Sequence, residues 1–182
     1  DRNPVAKVKS PRVVQSRAIQ FFTKEDLERV YLNADKHAAV WKFMANTGLR
    51  RGEMAKARRS DVICATDGLV LKVESIEDER EEGAAVTNAR ATKSRKERYI
   101  NLNEAACSAL SELGSDLLAG LTVQGLDKAW KRVRQRTGIT QGMHALRHTF
   151  ATHLVKSGVS IRIVQELMGH ATIAMTECYA HV

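Results

Sequence analysis

Apolar residues recur every three or four positions along most of this 182-residue chain, which is the spacing of one face of an α-helix. The pattern predicts helices in FFTKEDLERVYLNA, KHAAVWKFMANTG, EAACSALSEL, LDKAWKRVRQRTG, GMHALRHTFATHLVKSG, IRIVQELMG and IAMTECYA, and a short helical turn that enters a loop in LRRGEMAKARRSD. Residues that favour helix ends flank several of these stretches. The expected N-caps are Thr23, Asn103, Ser160 and Thr172, and the expected terminating glycines are Gly48, Gly138 and Gly158.

Two stretches in the middle of the chain, GLVLKVES and ERYINL, have strand character instead. The acidic run IEDEREEGA between them predicts an exposed hairpin tip or an inserted loop. Residues 1–20 are polar and basic, contain both prolines and show no periodicity, so they predict a linker or arm. For residues 21–182 we expect one domain that is mainly α with a small antiparallel β-sheet, an α+β fold.

The net charge of +8 is distributed in segments. Residues 1–60 carry fourteen Lys and Arg against six Asp and Glu, whereas residues 61–89 carry two against eight. Residues 90–102 and 122–138 are basic again, with five positive side chains against one negative in each. Basic blocks of this kind are either solvated faces or the binding surface of a polyanion such as a nucleic acid.

The sequence also bears on where the chain acts. No apolar run approaches the roughly 20 residues of a membrane helix, and the first residues have no secretory signal. The three cysteines lie far apart without a C-x-x-C spacing, which favours free thiols in a reducing compartment. We therefore expect a cytoplasmic protein without a membrane partner.

Candidate chemistry is densest in HALRHTFATHL, where His144, Arg147 and His148 share one face of the predicted helix. This strip has three interpretations: surface charge beside an apolar stripe, a zinc site with H-x-x-x-H spacing, or a phosphate site. Zinc is disfavoured because Ala145 stands where a zincin has glutamate and because a guanidinium lies between the two imidazoles. No metal and no cofactor is expected.

Three other segments carry isolated candidates. Arg50 and Glu53 follow a predicted helix end, and they are either an exposed helix ion pair or part of a site. Lys93 lies near the tip of the predicted hairpin, where lysine also protects a strand edge. His170 and Tyr179 close the chain, and a capping histidine with a packed tyrosine would account for them equally well.

Taken in order, the segments TGLRRGE, TKSRKERYINL, HALRHTFATHL and LMGHATIAMTECYAHV resemble the tyrosine recombinases, the phage-integrase-type site-specific recombinases. The resemblance covers residues 21–182. The H-x-L-R-H stretch, followed by a Gly-His pair and then a tyrosine, is its most specific part. It implies that this is the catalytic domain of a longer phage or mobile-element integrase whose N-terminal DNA-binding domain precedes residues 1–20.

The resemblance also implies a role for individual residues. Arg50 and Arg147 would clamp the phosphate, Lys93 would be the general acid, and Tyr179 the nucleophile. His144 and His170 would complete the catalytic set, while Glu53 would support the site structurally. The basic blocks supply candidate DNA contacts, which are Lys9, Arg12, Arg95, Lys96, Arg132 and Arg134.

These roles describe a metal-independent cleavage of DNA through a 3′-phosphotyrosine, followed by rejoining. Two guanidiniums neutralise a phosphodiester, and a phenolate is a better leaving group than a sugar alkoxide, so the step is reversible. The implied partners are double-stranded DNA at a specific site, further recombinase subunits in a tetramer, and accessory DNA-bending proteins. The alternatives are a type IB topoisomerase and a DNA-binding regulator with an inactive site.

Three features of the sequence set this chain apart. Cys178 stands where such recombinases often have arginine before the tyrosine, and the acidic run from residue 76 to 85 lengthens the hairpin. Little sequence follows Tyr179. A nucleophile on a short final helix would have few tertiary contacts, so we expect it to be weakly ordered or turned away from the arginines without DNA.

Overall fold

The computed structural model describes residues 19–76 and 95–180. The helices in this part of the chain are α1 (Lys24–Leu32), α2 (Ala38–Thr47), α3 (Arg51–Lys56), α4 (Glu104–Glu112), α5 (Val123–Thr137), α6 (His144–Lys156), α7 (Ile161–Met168) and α8 (Ala174–Glu177). The strands are β1 (Val62–Ala65), β2 (Gly68–Ile76) and β3 (Arg95–Asn101), and they form one antiparallel sheet in the order β1-β2-β3. The predicted class, mainly α with a small antiparallel sheet, is confirmed.

Most helices begin or end at the cap residues predicted from the sequence. Thr23 accepts a hydrogen bond from the Asp26 backbone, and Asp26 accepts one from the Thr23 backbone, which closes a capping box at the start of α1. Asn103 and Ser160 cap α4 and α7 through one side-chain bond each, which they accept from the backbone N–H groups of Ala106 and Ile163. The prediction for Thr172 is wrong, because α8 begins at Ala174 behind Ile173 and has no side-chain cap.

Strand β1 was not predicted from the sequence. It pairs with β2 from Val62 opposite Leu71 to Ala65 opposite Gly68. Three of its four residues are exposed, so the strand lacks the alternation of apolar and polar side chains that marks a half-buried strand. Its place at the sheet edge follows from pairing with β2 rather than from its own pattern.

The core is built around α2, whose Trp41 is fully buried. Helix α5 packs an apolar stripe against it, with the ring centroids of Trp41 and Trp130 5.2 Å apart in an edge-to-face arrangement. The opposite face of α5 carries Arg132 and Arg134, both exposed. The helix is therefore the basic amphipathic element that the sequence predicted, although it begins three residues earlier, after Thr122.

One glycine brings the helix ends of the site together. Gly48 ends α2 with φ of +64°, and a Cβ atom at this position would lie 2.4 Å from the Phe150 ring on α6. Both the left-handed backbone and the close packing require glycine here. The carbonyl at the end of α2 is thereby held against α6, one turn from the residues with candidate chemistry.

Within residues 19–76 and 95–180, none of the helices has the length and apolar composition needed to cross a membrane.

Candidate active site

Arg147 lies at the centre of the site, on the first turns of α6, and is 1% exposed. Its Nη1 donates to the Gly48 carbonyl at 2.6 Å, and its Nη2 donates to the Met168 carbonyl. Both acceptors are carbonyls at helix ends, where no intrahelical partner exists. Burial and the neighbouring Arg50 lower the pKa of Arg147 to about 9, so the guanidinium stays protonated at neutral pH.

Arg50 approaches the same place from the start of α3. Its side chain is about one-third exposed, and its Nη2 donates to the Gly169 carbonyl at 3.0 Å. Gly169 follows Met168, so the two arginines meet at one turn at the end of α7. Two guanidiniums that come from distant parts of the sequence thus lie side by side, as a phosphate clamp requires.

Glu53 binds both the backbone and the side chain of Arg50. One carboxylate oxygen accepts from the Arg50 backbone N–H at 2.7 Å, and the other lies 3.2 Å from Arg50 Nη1. The carboxylate is only 10% exposed and also receives two hydrogen bonds from Arg98 of β3. The interpretation as an exposed helix ion pair is therefore wrong, because Glu53 is shared by two arginines inside the protein.

The charge state of Glu53 follows from these contacts. Burial alone would raise the pKa of this carboxyl group. The hydrogen bonds and charge of Arg98, together with the Arg50 backbone, outweigh burial and lower the pKa to about 2. Glu53 is therefore ionised throughout the physiological range.

Four aromatic side chains form a row beside the arginines. The His144 and His148 rings meet edge to face with centroids 4.5 Å apart, and the His148 Nδ1 lies 2.5 Å from the Tyr179 hydroxyl oxygen. The His170 ring lies nearly parallel to the Tyr179 ring, with centroids 6.4 Å apart. His170 is held in turn by Thr176, whose hydroxyl oxygen lies 2.8 Å from its Nδ1.

Tyr179 is 2% exposed, and α8 packs on α7 beside it. The expectation of few tertiary contacts at this residue is wrong. The ring fills space between His148 and His170, and the hydroxyl has a defined partner. The tyrosine is held in the cluster of site residues before any DNA is present.

The three imidazoles of the site are neutral at pH 7. Burial, together with positive neighbours such as Arg147, lowers the pKa of His144 and of His148 to about 4 and that of His170 to about 3. The three histidines differ in exposure to solvent. The side chain of His144 is exposed, whereas those of His148 and His170 are half-buried. We therefore expect the charge of His144 to be screened more by solvent than that of the other two.

Stability should fall as the pH is lowered from about 6.5 to about 4. In this window the unfolded chain protonates these histidines, whereas the folded protein keeps them neutral, so the folded state loses stability relative to the unfolded one. Glu53 does not contribute here, because its stabilisation is lost only below about 4.5. Urea unfolding at pH 7.5 and pH 5.0 measures the difference. A His170→Gln variant should show a smaller loss, and a free energy of unfolding that stays constant between these pH values would contradict the assignment.

The structure brings together six of the seven residues predicted for the catalytic set and its support, namely Arg50, Glu53, His144, Arg147, His170 and Tyr179. Lys93, the seventh, lies outside the described residues, as do Lys9, Arg12 and most of the acidic run. Arg95 and Lys96 begin β3, and no contact of their side chains is described. Cys178 is exposed, and its thiol donates to the Met175 carbonyl at 3.2 Å.

Two residues of the cluster were missing from the predicted set. His148 was recognised only as part of a charged helix face, although the H-x-L-R-H spacing places it one turn from His144. Arg98 carries no local signal, because an arginine in a basic strand is equally typical of a DNA contact. Among the described residues, no group of three or more His, Cys, Asp or Glu side chains could hold a metal ion.

A model of the phage integrase family matches residues 20–182. The chain belongs to this family. The tyrosine recombinase XerD of Listeria innocua is 28% identical over 208 residues, which cover 99% of this chain and 63% of that protein. The chain therefore spans less than two thirds of the length of this relative.

Solved structures of the family share the fold. The catalytic domain of bacteriophage HP1 integrase superposes with a TM-score of 0.67 at 22% identity, covering 90% of this chain and 88% of that one. The Tn1549 transposon integrase in complex with transposon right end DNA gives a TM-score of 0.70 at 21% identity, covering 92% and 63%. The resemblance to tyrosine recombinases found in the sequence is confirmed.

Proposed function

We propose that this domain cleaves and rejoins DNA strands with Tyr179 as the nucleophile, as the catalytic part of a longer site-specific recombinase or integrase. The observation that carries the proposal is the contact between the Tyr179 hydroxyl and His148 beside two guanidiniums on one turn. A nucleophile, a proton acceptor and a phosphate clamp are the parts that a phosphoryl transfer without metal needs.

Arg50 and Arg147 bind the non-bridging oxygens of the scissile phosphate. Each guanidinium already donates to a carbonyl at the end of α7, which fixes the plane of the fork before substrate arrives. Because donors that are already oriented need not reorganise, they stabilise the charge that grows on the phosphate oxygens during attack. Burial of Arg147 strengthens this interaction by excluding water.

His148 accepts the tyrosine proton in this mechanism. Its imidazole is neutral at pH 7, so Nδ1 can carry the lone pair that faces the hydroxyl 2.5 Å away. As the proton moves to His148, the tyrosine oxygen bonds to phosphorus and the bond from phosphorus to the 5′ oxygen breaks. Lys93 gives a proton to the leaving 5′ oxygen, and His144 and His170 assist at the phosphate.

The products are a 3′-phosphotyrosine and a free 5′-hydroxyl. A 5′-hydroxyl from a second duplex attacks the phosphotyrosine, takes over the phosphate and releases Tyr179, which exchanges the strands. Since Tyr179 is 2% exposed, DNA must displace the covering residues before attack. Helix α8, which has four residues and packs on α7, is the element that has to shift.

The exposed basic residues position DNA by its phosphates. Arg132 and Arg134 on α5 are the described candidates, and Lys9, Arg12, Arg95 and Lys96 are further candidates from the basic segments of the sequence. The complete reaction joins specific sites on double-stranded DNA in the cytoplasm. It takes place in a tetramer of recombinase subunits on DNA, with accessory DNA-bending proteins as further partners.

A covalent-adduct assay tests the proposal. DNA that flanks the coding sequence is nicked at random, so that the short strand released by cleavage diffuses away and religation is prevented. We expect a protein–DNA adduct that survives denaturing electrophoresis, with the free ends carrying 5′-hydroxyl groups that a polynucleotide kinase labels directly. A protein that binds this DNA without forming an adduct would be a regulator, and one that only relaxes supercoiled plasmids would be a topoisomerase.

A further inference from the structure

A third arginine is buried in the site, and none of the roles above involves it. Arg98 lies in the middle of β3, opposite Val73 of β2, and its side chain is 7% exposed. Its three guanidinium nitrogens all have partners. Nε donates to the Leu167 carbonyl at 2.8 Å, while Nη1 and Nη2 donate to the two oxygens of Glu53 at 2.9 and 2.7 Å.

The first consequence concerns Glu53. Arg98 binds both carboxylate oxygens in the fork geometry, whereas the side chain of Arg50 reaches only one of them, at 3.2 Å. A carboxylate engaged in this way cannot also form a two-pronged pair with Arg50. Arg98 therefore keeps Glu53 from neutralising Arg50 completely, and Arg50 retains charge for an anion.

The second consequence concerns the turn at the end of α7. Leu167, which accepts from Arg98, precedes Met168 and Gly169, whose carbonyls accept from Arg147 and Arg50. Gly169 has φ of +62°, and a Cβ atom there would lie 3.2 Å from Arg98 Cδ. Three consecutive carbonyls of one turn thus bind three arginines, and Arg98 packs directly beneath the glycine.

The charges of the described residues give the same result. Two guanidiniums, those of Arg50 and Arg98, contact the Glu53 carboxylate, and the positive charge of Arg147 lies close enough to lower its pKa as well, so the cluster holds more positive than negative charge. Arg98 balances Glu53, and the remaining positive charge belongs to Arg50 and Arg147. Arg98 determines this distribution of charge, because it binds both carboxylate oxygens of Glu53.

We infer that Arg98 is a positioning residue for phosphate cleavage, which orients Arg50 through Glu53 and fixes the α7 turn that receives both clamp arginines. The inference rests on the proposed function for its kinetic part. The contact between Arg98 and Glu53 can be tested without any DNA.

The kinetic test compares Arg98→Gln with Arg98→Lys in the adduct assay at saturating DNA. We expect the rate of adduct formation to fall about 100-fold in Arg98→Gln, the size of effect that a small misplacement of a catalytic group produces, with little change in DNA affinity. Arg98→Lys keeps the charge but cannot bind both carboxylate oxygens, so its rate should be intermediate. If Arg98→Gln does not fold, the lysine variant carries the test.

A double variant separates positioning from general stability. In an Arg50→Ala background, Arg98→Gln should slow adduct formation less than in the wild-type chain, because the route through Glu53 and Arg50 is gone and only the α7 turn beside Arg147 remains. Arg59→Gln is the matched control, since Arg59 also donates to backbone carbonyls, those of Leu110 and Leu113, but contacts none of the site residues. It should lower thermal stability without changing the rate. An equal effect of Arg98→Gln in both backgrounds would overturn the inference.

A second readout does not depend on the reaction. Carbon NMR of the Glu53 carboxyl group in the DNA-free chain should give a pKa near 2, and Arg98→Gln should raise it. An unchanged titration would show that Arg98 does not govern Glu53 and would overturn the inference even if adducts form. A raised pKa without adducts in the wild-type chain would instead remove the proposed function and leave the contact established.

Discussion

Replacing Tyr179 with phenylalanine abolishes the covalent protein–DNA adduct and leaves the fold intact. The ring is 2% exposed and phenylalanine keeps its packing between two histidines, so the free energy of unfolding should change by only about 1 kcal/mol, the contribution of one hydrogen bond. Phenylalanine lacks the nucleophilic oxygen, so no adduct can form at this residue. Adduct gels and urea unfolding, run on the same preparation, measure both quantities.

The matched control for this variant is Tyr99→Phe. Tyr99 is 52% exposed on β3, and its hydroxyl contacts only Glu97 at 3.3 Å among the described residues. This variant should form adduct at the wild-type rate. Adduct that persists in Tyr179→Phe, or that disappears in Tyr99→Phe, would remove Tyr179 from its role.

Replacing Arg147 with lysine should have the second largest effect, on both rate and stability. Lysine keeps a positive charge but cannot donate to the Gly48 and Met168 carbonyls and to a phosphate at once. We expect adduct formation to slow by about 100- to 1,000-fold, as when a preorganised donor is removed from a transition state. Stability should fall by about 2 to 4 kcal/mol, because two buried carbonyls lose their partner.

Arg162→Lys provides the comparison. Arg162 lies on α7, close in sequence to the same turn, but it is 74% exposed and pairs only loosely with Glu166 at 3.8 Å. Neither rate nor stability should change in this variant. If Arg147→Lys slows the reaction no more than Arg162→Lys does, the phosphate clamp is assigned to the wrong residue.

The helices were largely predictable because their ends are specified locally. Thr23, Asn103 and Ser160 cap through side-chain bonds to residues three positions on, and such bonds depend only on nearby sequence. Helix α8 begins without a side-chain cap, so Thr172 misled the prediction. Strand β1 was not predicted because it is an exposed edge strand, and only its pairing with β2 defines it.

The site was predictable where the order of motifs along the chain carries it, and less so where only packing decides. Arg50, Arg147, His170 and Tyr179 belong to the motifs that carry the resemblance, and the structure places them together. The burial of Tyr179 depends on His148 and on α7, which local sequence does not reveal. Arg98 lies within the segment TKSRKERYINL but received no role there, since its role depends on Glu53, 45 residues away.

Cys178 lies directly before the nucleophile in the sequence. Cys178 exposes a thiol beside the nucleophile, and its bond to Met175 is local to α8. This contact does not fix the position of Tyr179, which is set by His148 and His170. A Cys178→Ala variant is therefore a suitable background for locating the adduct, because it removes the nucleophilic side chain directly before Tyr179.

The measurement that tests the central claim most directly is the position of the DNA-linked residue. Adduct formed by the Cys178→Ala chain is digested with nuclease and protease, and the peptide that retains a nucleotide is sequenced by mass spectrometry. The account predicts a nucleotide joined through its 3′ phosphate to Tyr179. A nucleotide on Tyr31, Tyr99 or any hydroxyl other than that of Tyr179, or a linkage through the 5′ phosphate, would contradict it.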